Sequence, residues 1–398
     1  MHPEAELFGF SIPAGGEVVR VARSLADHGT FANPFQSMNT GVTAHVAPVY
    51  PFIYAVFLKV FGTGYPSLLI LWGVNIAFLA LQMAAMPWIT SRLGLGITPG
   101  LIAATLGSIS LHTTVDASWE CFLAGLMVLI ACVLTWRTEN WSATLRAVLL
   151  GIAWGIFVLT SPLMVLLLVA WPIIVIASRP RSEWRVLSLR AAAMLTATAL
   201  TIAPWIVRNY VQFGAFIFVR DNLGLELSVG NNPCAGITLK ETEHSGCLYT
   251  YHPNSNPNVA KIVADSGELT FERARLRQAL SWIGSNRAAF LKLSVQRFRE
   301  FWFPSMFRRW EDFIVWPITL LSVAGIFTLW RKNPLFARLI LATWILFPAI
   351  YYFVPAETRY TYPIYWTTLL SAGCALAELV TRRFTTRSIP ANSPAEHQ

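Results

Sequence analysis

Hydrophobic side chains run along this chain in long, nearly unbroken blocks. Blocks long enough to cross about 30 Å of hydrocarbon fall at 65–91, 97–115, 120–136, 143–159, 162–178, 188–207, 312–330, 335–354 and 361–380. They predict nine membrane-spanning helices. Arg92, then Arg137 and Arg146, then Arg179, Arg181, Arg185 and Arg190, then Arg331, Lys332 and Arg338, and finally Arg382, Arg383 and Arg387 mark one set of connecting segments. Each of these is separated from the next by two spans, so the positive-inside rule puts them all on the cytoplasmic side. The remaining loops, 1–64, 116–119, 160–161, 208–311 and 355–360, then face outward.

This pattern divides the chain into a first external loop (1–64), six spans (65–207), an external cap segment (208–311), three spans (312–380) and a cytoplasmic tail (381–398). The expected fold is an all-α polytopic membrane bundle of about nine helices with a small external segment of mixed structure. Within the first loop, 17–28 has amphipathic helical spacing. The segment 48–62, "PVYPFIYAVFLKVFG", is apolar but short and reads as an interfacial or re-entrant helix. The cap segment is too long for a structureless connector. Its first half carries turn-rich stretches such as "GNNPCAG" and "HPNSNPN", and its second half, from Gly267 to Phe303, has helical spacing with mixed charges. The tail after Arg387 is polar and reads as disordered. An outward-facing loop of 64 residues with nothing hydrophobic ahead of it predicts a further helix upstream of Met1, or one that has been lost.

Composition sharpens the class. Of the 398 residues 55% are hydrophobic and only 13% charged, which places the chain among polytopic membrane proteins and excludes an ordinary array of soluble domains. Sixteen Trp and eleven Tyr suit many interfacial anchors. The formal charge of +9 lies largely in short loops, where it sets topology and does not point to nucleic acid. No basic n-region with a short apolar stretch and cleavage site opens the chain, so no signal peptide is read. Of the five cysteines, Cys121, Cys132 and Cys374 fall in predicted spans. Cys234 and Cys247 share the cap segment, and their spacing leaves a disulfide and two free thiols equally open. No CxxC or histidine–cysteine pattern supports a zinc site.

Ionisable residues on the outer side gather near span ends, within reach of a lipid headgroup. In the first loop Glu17 precedes Arg20, Arg23 and Asp27 at helical intervals. A helix there can aim Glu17 and the arginines at one pocket, or simply form a solvated i,i+3 ion pair. "LHTTVDASWECF" sets His112, Asp116 and Glu120 at four-residue steps across a short outer hairpin, as a binding cluster or as solubilising acids. "APWIVRNYVQFGAFIFVRDNLGLELSVGNNP" places Arg208 at a span end and Arg220 after an aromatic, β-prone run. Guanidinium groups bind phosphate oxygens bidentately, and the following glycine-rich turn lets backbone amides approach the same anion; an interfacial anchor is the alternative. "PAETRYTYPIYW" brings Glu357, Arg359, Tyr360 and Tyr362 to the last outer loop, suited to an anionic headgroup or to an aromatic belt.

Taken together, these stretches resemble the bacterial GT-C glycosyltransferases of family 39, related to protein O-mannosyltransferases and the lipid A aminoarabinose transferase. The resemblance covers most of the chain and rests on "EVVRVARSLADHGTFANPF", "TAHVAPVYPFIYAVFLKVFG", the block from Ala203 to Pro233, and "TRYTYPIYW". It implies an integral enzyme of the bacterial inner membrane. Such an enzyme transfers a sugar from a polyprenyl-phosphate donor to a lipid, glycan or protein acceptor of the envelope, on the periplasmic or extracellular face. By position Glu17 corresponds to the family's catalytic acid, although better-studied relatives carry Asp there, and the family's first helix lies ahead of this loop. A carboxylate at Glu17 would take the acceptor proton. Arg208, Arg220 and Arg359 would hold the donor phosphate. His45, Tyr50 and Tyr360 are candidates for the sugar or lipid, although a lone histidine near an interface, as His45 is, is more often structural. Asp116 and Glu120 would bind the acceptor or a divalent cation, a pair too small to require a metal. No other cofactor is implied. Two rival readings are a transporter or flippase for lipid-linked sugars and a catalytically impaired binding protein. Transport predicts charges deep in the spans and two related halves, and neither is evident.

Overall fold

The computed structural model describes residues 16–111, 119–136, 144–304 and 312–387. In chain order the helices are α1 (Glu17–His28), α2 (Val49–Phe61), α3 (Tyr65–Arg92), α4 (Thr98–Leu111), α5 (Cys121–Trp136), α6 (Thr144–Thr160), α7 (Met164–Ala177) and α8 (Arg181–Phe213). The cap follows as α9 (Leu223–Gly230), α10 (Leu239–His244), α11 (Cys247–Tyr251), α12 (Pro257–Ser266), α13 (Glu268–Ser285) and α14 (Arg287–Trp302). The chain then returns to the bundle as α15 (Asp312–Lys332), α16 (Pro334–Leu346) and α17 (Tyr362–Arg387).

A helix stands at each of the nine hydrophobic blocks, but full-length crossings are fewer. Among the described residues five segments are long and apolar enough to span a bilayer: Leu69–Arg92, Arg181–Phe213, Phe313–Lys332, Pro334–Tyr352 and Thr358–Thr381. Helices α5, α6 and α7 are apolar but shorter. These spans turn large side chains outward, Leu200 and Val211 among the most exposed. Such a surface is stable in hydrocarbon and costly in water. The protein is a multi-pass membrane protein. Its last span is the most enclosed, 67% buried against 22% for α8, which puts α17 at the centre of the bundle.

Close helix packing without a hydrophobic driving force needs small residues and internal polar bonds. A Cβ at Gly325 of α15 would fall 1.7 Å from the Ser371 carbonyl of α17, so only glycine permits that approach. Between α6 and α8 the Thr198 hydroxyl donates to the Gly151 carbonyl at 2.9 Å. The Gln82 amide of α3 donates to the Phe122 carbonyl of α5 at 3.0 Å.

The expected mixture in the cap is not found: among the described residues the cap consists of helices joined by irregular segments, with no strand. Only two isolated bridges occur, Ala32 with Val42 and Thr238 with Ala356. The turn-rich stretches end up as helix caps. The Thr238 hydroxyl accepts the Glu241 amide, and the Asn256 side chain accepts the Asn258 amide. The run before Arg220, read as β-prone, is irregular, and the glycine-rich "GLELSVG" is helix α9. Its leading amides do not open onto solvent, because Leu225 donates to the buried Glu272 carboxylate at 2.8 Å. The amphipathic helix at 17–28 and the short helix near 48–62 both form, as α1 and α2. Cys234 and Cys247 are joined, with Cα atoms 5.7 Å apart.

The cap is bolted to both outer loops. Phe35 of the first loop inserts between Leu225, Val229, Val259, Val263 and Phe271 of the cap core. The Gln36 amide donates to Asn254 Oδ1 at 2.9 Å. On the other side Ala356 donates to the Ile237 carbonyl at 2.9 Å, and the Asn231 side chain donates to the Phe353 carbonyl at 2.8 Å.

Gly325→Ala is therefore expected to destabilise the bundle by about 1–3 kcal/mol, as overpacking does. A thermal melt in detergent checks this, and an unchanged midpoint would mean that α15 and α17 are not in contact as described.

Candidate active site

The first loop, the cap and the loop before α17 meet around Glu17. Glu17 is the first residue of α1, where the helix dipole favours a negative charge. Gly16 ahead of it leaves room for Trp119, whose ring would lie 3.4 Å from a Cβ at that position. The Arg359 guanidinium sits over the same Trp119 ring, 3.5 Å from its centroid, in cation–π geometry. Arg359 is ion-paired with Glu357, while its Nη1 is buried with no hydrogen-bond partner among the described residues. Tyr360 stacks on Tyr351 at 4.2 Å and lies beneath the same guanidinium.

Glu17 is only 8% exposed. Burial pushes its carboxyl pKa up; its own backbone and the charges of Arg359 and Arg220 pull down, and Glu357 pushes up. The expected i,i+3 pair with Arg20 does not form, and Glu17 instead faces His252 of the cap, whose Nε2 lies 3.9 Å from its Oε1. Glu226 of α9 stands in the same cluster. Its carboxyl too is pushed up by burial, against the opposing pull of His252, Arg220 and Arg359.

The other candidate residues divide by location. Arg220 acts on Glu17, Glu226 and His45 through its charge, and among the described residues no hydrogen bond or ion pair occupies its guanidinium. His45 is buried beside the cluster, edge-on to Phe35 at 5.0 Å. Burial, with His252 and Arg220 near it, holds it well below the ordinary histidine value, so it is neutral.

Arg208 lies elsewhere. It donates to the Thr43 carbonyl at 2.8 Å and the Phe31 carbonyl at 3.1 Å while stacking on Trp205 and Phe31. Its visible work is to hold the first loop on α8. Tyr50 is buried, its hydroxyl accepting from Asn75 at 2.7 Å, which ties α2 to α3. Glu120 stands at the N-terminus of α5, next to Trp119, with its carbonyl accepting the Ala124 amide. Asp116 lies outside the described residues. Among those residues no three His, Cys, Asp or Glu side chains converge to hold a metal ion.

No motif pointed to His252, Glu226 or Trp119, which carry chemistry only through what folds against them. A weak signal existed for His252, since a histidine in a proline- and asparagine-rich turn is held by local backbone bonds.

A second cluster meets the same loop at Thr43 and Ala44. The Glu268 carboxylate accepts the Thr43 hydroxyl at 2.5 Å and the Ala44 amide at 2.6 Å. Burial and the neighbouring Asp221 push Glu268 well above the ordinary carboxyl value, and burial pushes Asp221 up to about 6. Two buried carboxyls so placed cannot both ionise without large cost.

Comparison with solved structures follows this geometry. Aligned over 94% of its length, the chain superposes on the Archaeoglobus fulgidus oligosaccharyltransferase tethered to an acceptor peptide containing the NVT sequon, with a TM-score of 0.55 and 14% identity. It shares a fold with an archaeal oligosaccharyltransferase. The same enzyme in complex with zinc and sulfate matches with a TM-score of 0.52 over 93% of this chain. The alignments cover 46% and 45% of that protein, so the chain spans about half its length. At 14% identity the likeness is one of fold alone. No protein-family model and no curated protein matches the sequence.

The neutral form of Asp221 contributes stability that is complete below its ordinary 3.8 and is lost as pH rises through about 6. Asp221→Asn is therefore expected to melt higher than the parent near pH 8, by on the order of 1–3 kcal/mol. That advantage should shrink near pH 5. Equal melting temperatures at both values would show that the carboxyl is not strained by ionisation.

Proposed function

We propose that this protein is a GT-C-type glycosyltransferase that moves a sugar from a polyprenyl-phosphate donor to an acceptor hydroxyl of an envelope lipid, glycan or protein. The observation that carries this reading is the convergence of a buried carboxylate, Glu17, with two guanidinium groups, Arg359 and Arg220, at the junction of first loop, cap and last span. A buried base beside two cations suits a reaction in which one group takes a proton and a phosphate departs. The fold shared with an oligosaccharyltransferase supports the same reaction class. The arginine pattern of the short loops supports an outward-facing site, and the resemblance to family 39 implies a bacterial inner membrane.

In this reading Glu17 accepts the proton of the acceptor hydroxyl as its oxygen attacks the anomeric carbon. The bond from that carbon to the phosphate oxygen breaks on the opposite face, inverting the centre. The polyprenyl phosphate leaves as an anion that needs no general acid. Arg220 and Arg359 stabilise the charge that develops on it, most strongly where water is excluded. Trp119, Tyr351 and Tyr360 wall the site, and His45 lines it as a neutral group. Arg208 holds the loop that carries His45, and Tyr50 holds α2 in place. Glu120, at the N-terminus of α5, is the candidate for binding the acceptor.

The test uses purified protein with a panel of polyprenyl-phosphate sugars and envelope extract, following polyprenyl phosphate release by mass spectrometry. Glu17→Gln is expected to lower turnover by about 10²–10⁴-fold with donor binding retained. Arg220→Gln should lower it by about 10²–10³-fold. Because burial raises the Glu17 pKa, the parent's rate should climb with pH into the range above an ordinary glutamate. Release that persists unchanged in Glu17→Gln would overturn the assignment.

A further inference from the structure

His252 is half-buried in the site, its side chain 14% exposed, and has no role in the mechanism above. It follows α11, a helix of 5 residues whose first, Cys247, is bonded to Cys234. This tether fixes the short helix, and the helix fixes the histidine through the His252 amide, which donates to the Leu248 carbonyl at 2.8 Å. The ring is held from two further sides. Phe35 meets it edge-on at 6.2 Å and 85°, and the Asn254 backbone amide donates to its Nδ1 at 3.0 Å.

That last bond decides the chemistry. A neutral imidazole carries one proton, and a nitrogen accepting a hydrogen bond cannot be the one that holds it. Burial keeps the ring neutral, lowering its pKa to about 4 against the opposing pull of Glu226, with Arg275 adding to the lowering. The proton therefore resides on Nε2, the atom that faces Glu17 Oε1 across 3.9 Å. A movement of about 1 Å brings the pair within hydrogen-bond distance. The other charged groups around this pair are Arg359, Glu357 and Arg220, which act on Glu17, and Glu226, which acts on both His252 and Glu17; Arg359 is already engaged by Glu357.

Resting on the reading of Glu17 as the base, we propose that His252 is its positioning residue: the Nε2–H, fixed by the Asn254 amide, holds one oxygen of the Glu17 carboxylate so that the other faces the acceptor hydroxyl. In the transfer, the acceptor proton moves to that second oxygen while the acceptor oxygen bonds the anomeric carbon. The carbon–oxygen bond to phosphate breaks with its electron pair on the departing phosphate. His252 neither gains nor loses a proton.

Two measurements test this. The first needs no donor. Protein labelled with ¹⁵N-histidine is placed in lipid nanodiscs, and its imidazole resonances are recorded by NMR between about pH 6 and 8, with His252→Gln assigning the signal. The expected result is a neutral ring protonated on Nε2 throughout. Protonation on Nδ1, a doubly protonated ring, or a Nε2 resonance captured by added zinc would each overturn the proposal.

The second measurement is kinetic, with undecaprenyl phosphate mannose as donor and envelope extract as acceptor. His252→Asn, whose amide falls short of the Nε2 position, is expected to lower kcat about tenfold to hundredfold with little change in KM. It should also move the acidic limb of the pH profile to higher pH, because a donor to a carboxylate favours its ionised form. His252→Gln restores an N–H near Nε2 and should recover most of the rate. An inactive Glu17→Gln beside a kinetically silent His252→Asn would overturn this role and leave the base assignment standing. An active Glu17→Gln would remove both.

Discussion

The site depends on how the first loop is held between α8 and the cap. A loop lying against a membrane bundle must find partners for its backbone groups, since each buried one left unpaired costs as much as a lost hydrogen bond. Here two side chains supply them, one from α8 and one from α13. The Arg208 guanidinium receives the Phe31 and Thr43 carbonyls, and the Glu268 carboxylate receives the Thr43 hydroxyl and the Ala44 amide. Residues 31–44 are thereby fixed to both bodies at once. Phe35, buried in the cap core, and His45, just beyond the clamp, are delivered to their positions by it.

The electrostatics of the site follow from this enclosure. Glu17, Glu226 and His252 would titrate at ordinary values on a surface. Packed between α1, α9 and α11, they have their charged forms disfavoured, so the carboxyl values rise and the histidine value falls. Two arginines with incomplete hydrogen bonding stand beside them. A buried guanidinium nitrogen without an acceptor, as at Arg359 Nη1, costs stability in the empty protein. A phosphate oxygen would relieve that cost, which links the price of building the site to the ligand proposed for it.

Helix α9 shows how a local motif can be overruled. The stretch "GLELSVGNN" has the residues of an anion-binding turn, yet it coils into a helix whose amide at Leu225 is taken by Glu272. Gly224 is needed there for a different reason, because a Cβ would lie 2.1 Å from the Glu272 carbonyl. Arg208 reads from sequence as a phosphate ligand with an interfacial anchor as the alternative, and spacing alone does not choose between them. Its stacking on Trp205 and its two loop carbonyls show what engages it. Cys234 and Cys247 likewise left both outcomes open until the turn between α9 and α11 brought their Cα atoms to 5.7 Å.

What the sequence by itself determined is the membrane class, the position of a helix at each hydrophobic block, the amphipathic α1, and the gathering of acids and arginines at one set of span ends. These are properties of composition and period, set within one segment by the need to bury apolar side chains and satisfy backbone groups. Only the tertiary structure decided which charges meet. Glu17, Glu226, His252 and Arg359 come from α1, α9, the end of α11 and the loop before α17, and nothing in their local sequences encodes their proximity. Helical periodicity fixes faces within an element, whereas the meeting of faces from distant elements depends on side-chain packing and long-range hydrogen bonds summed over the whole chain.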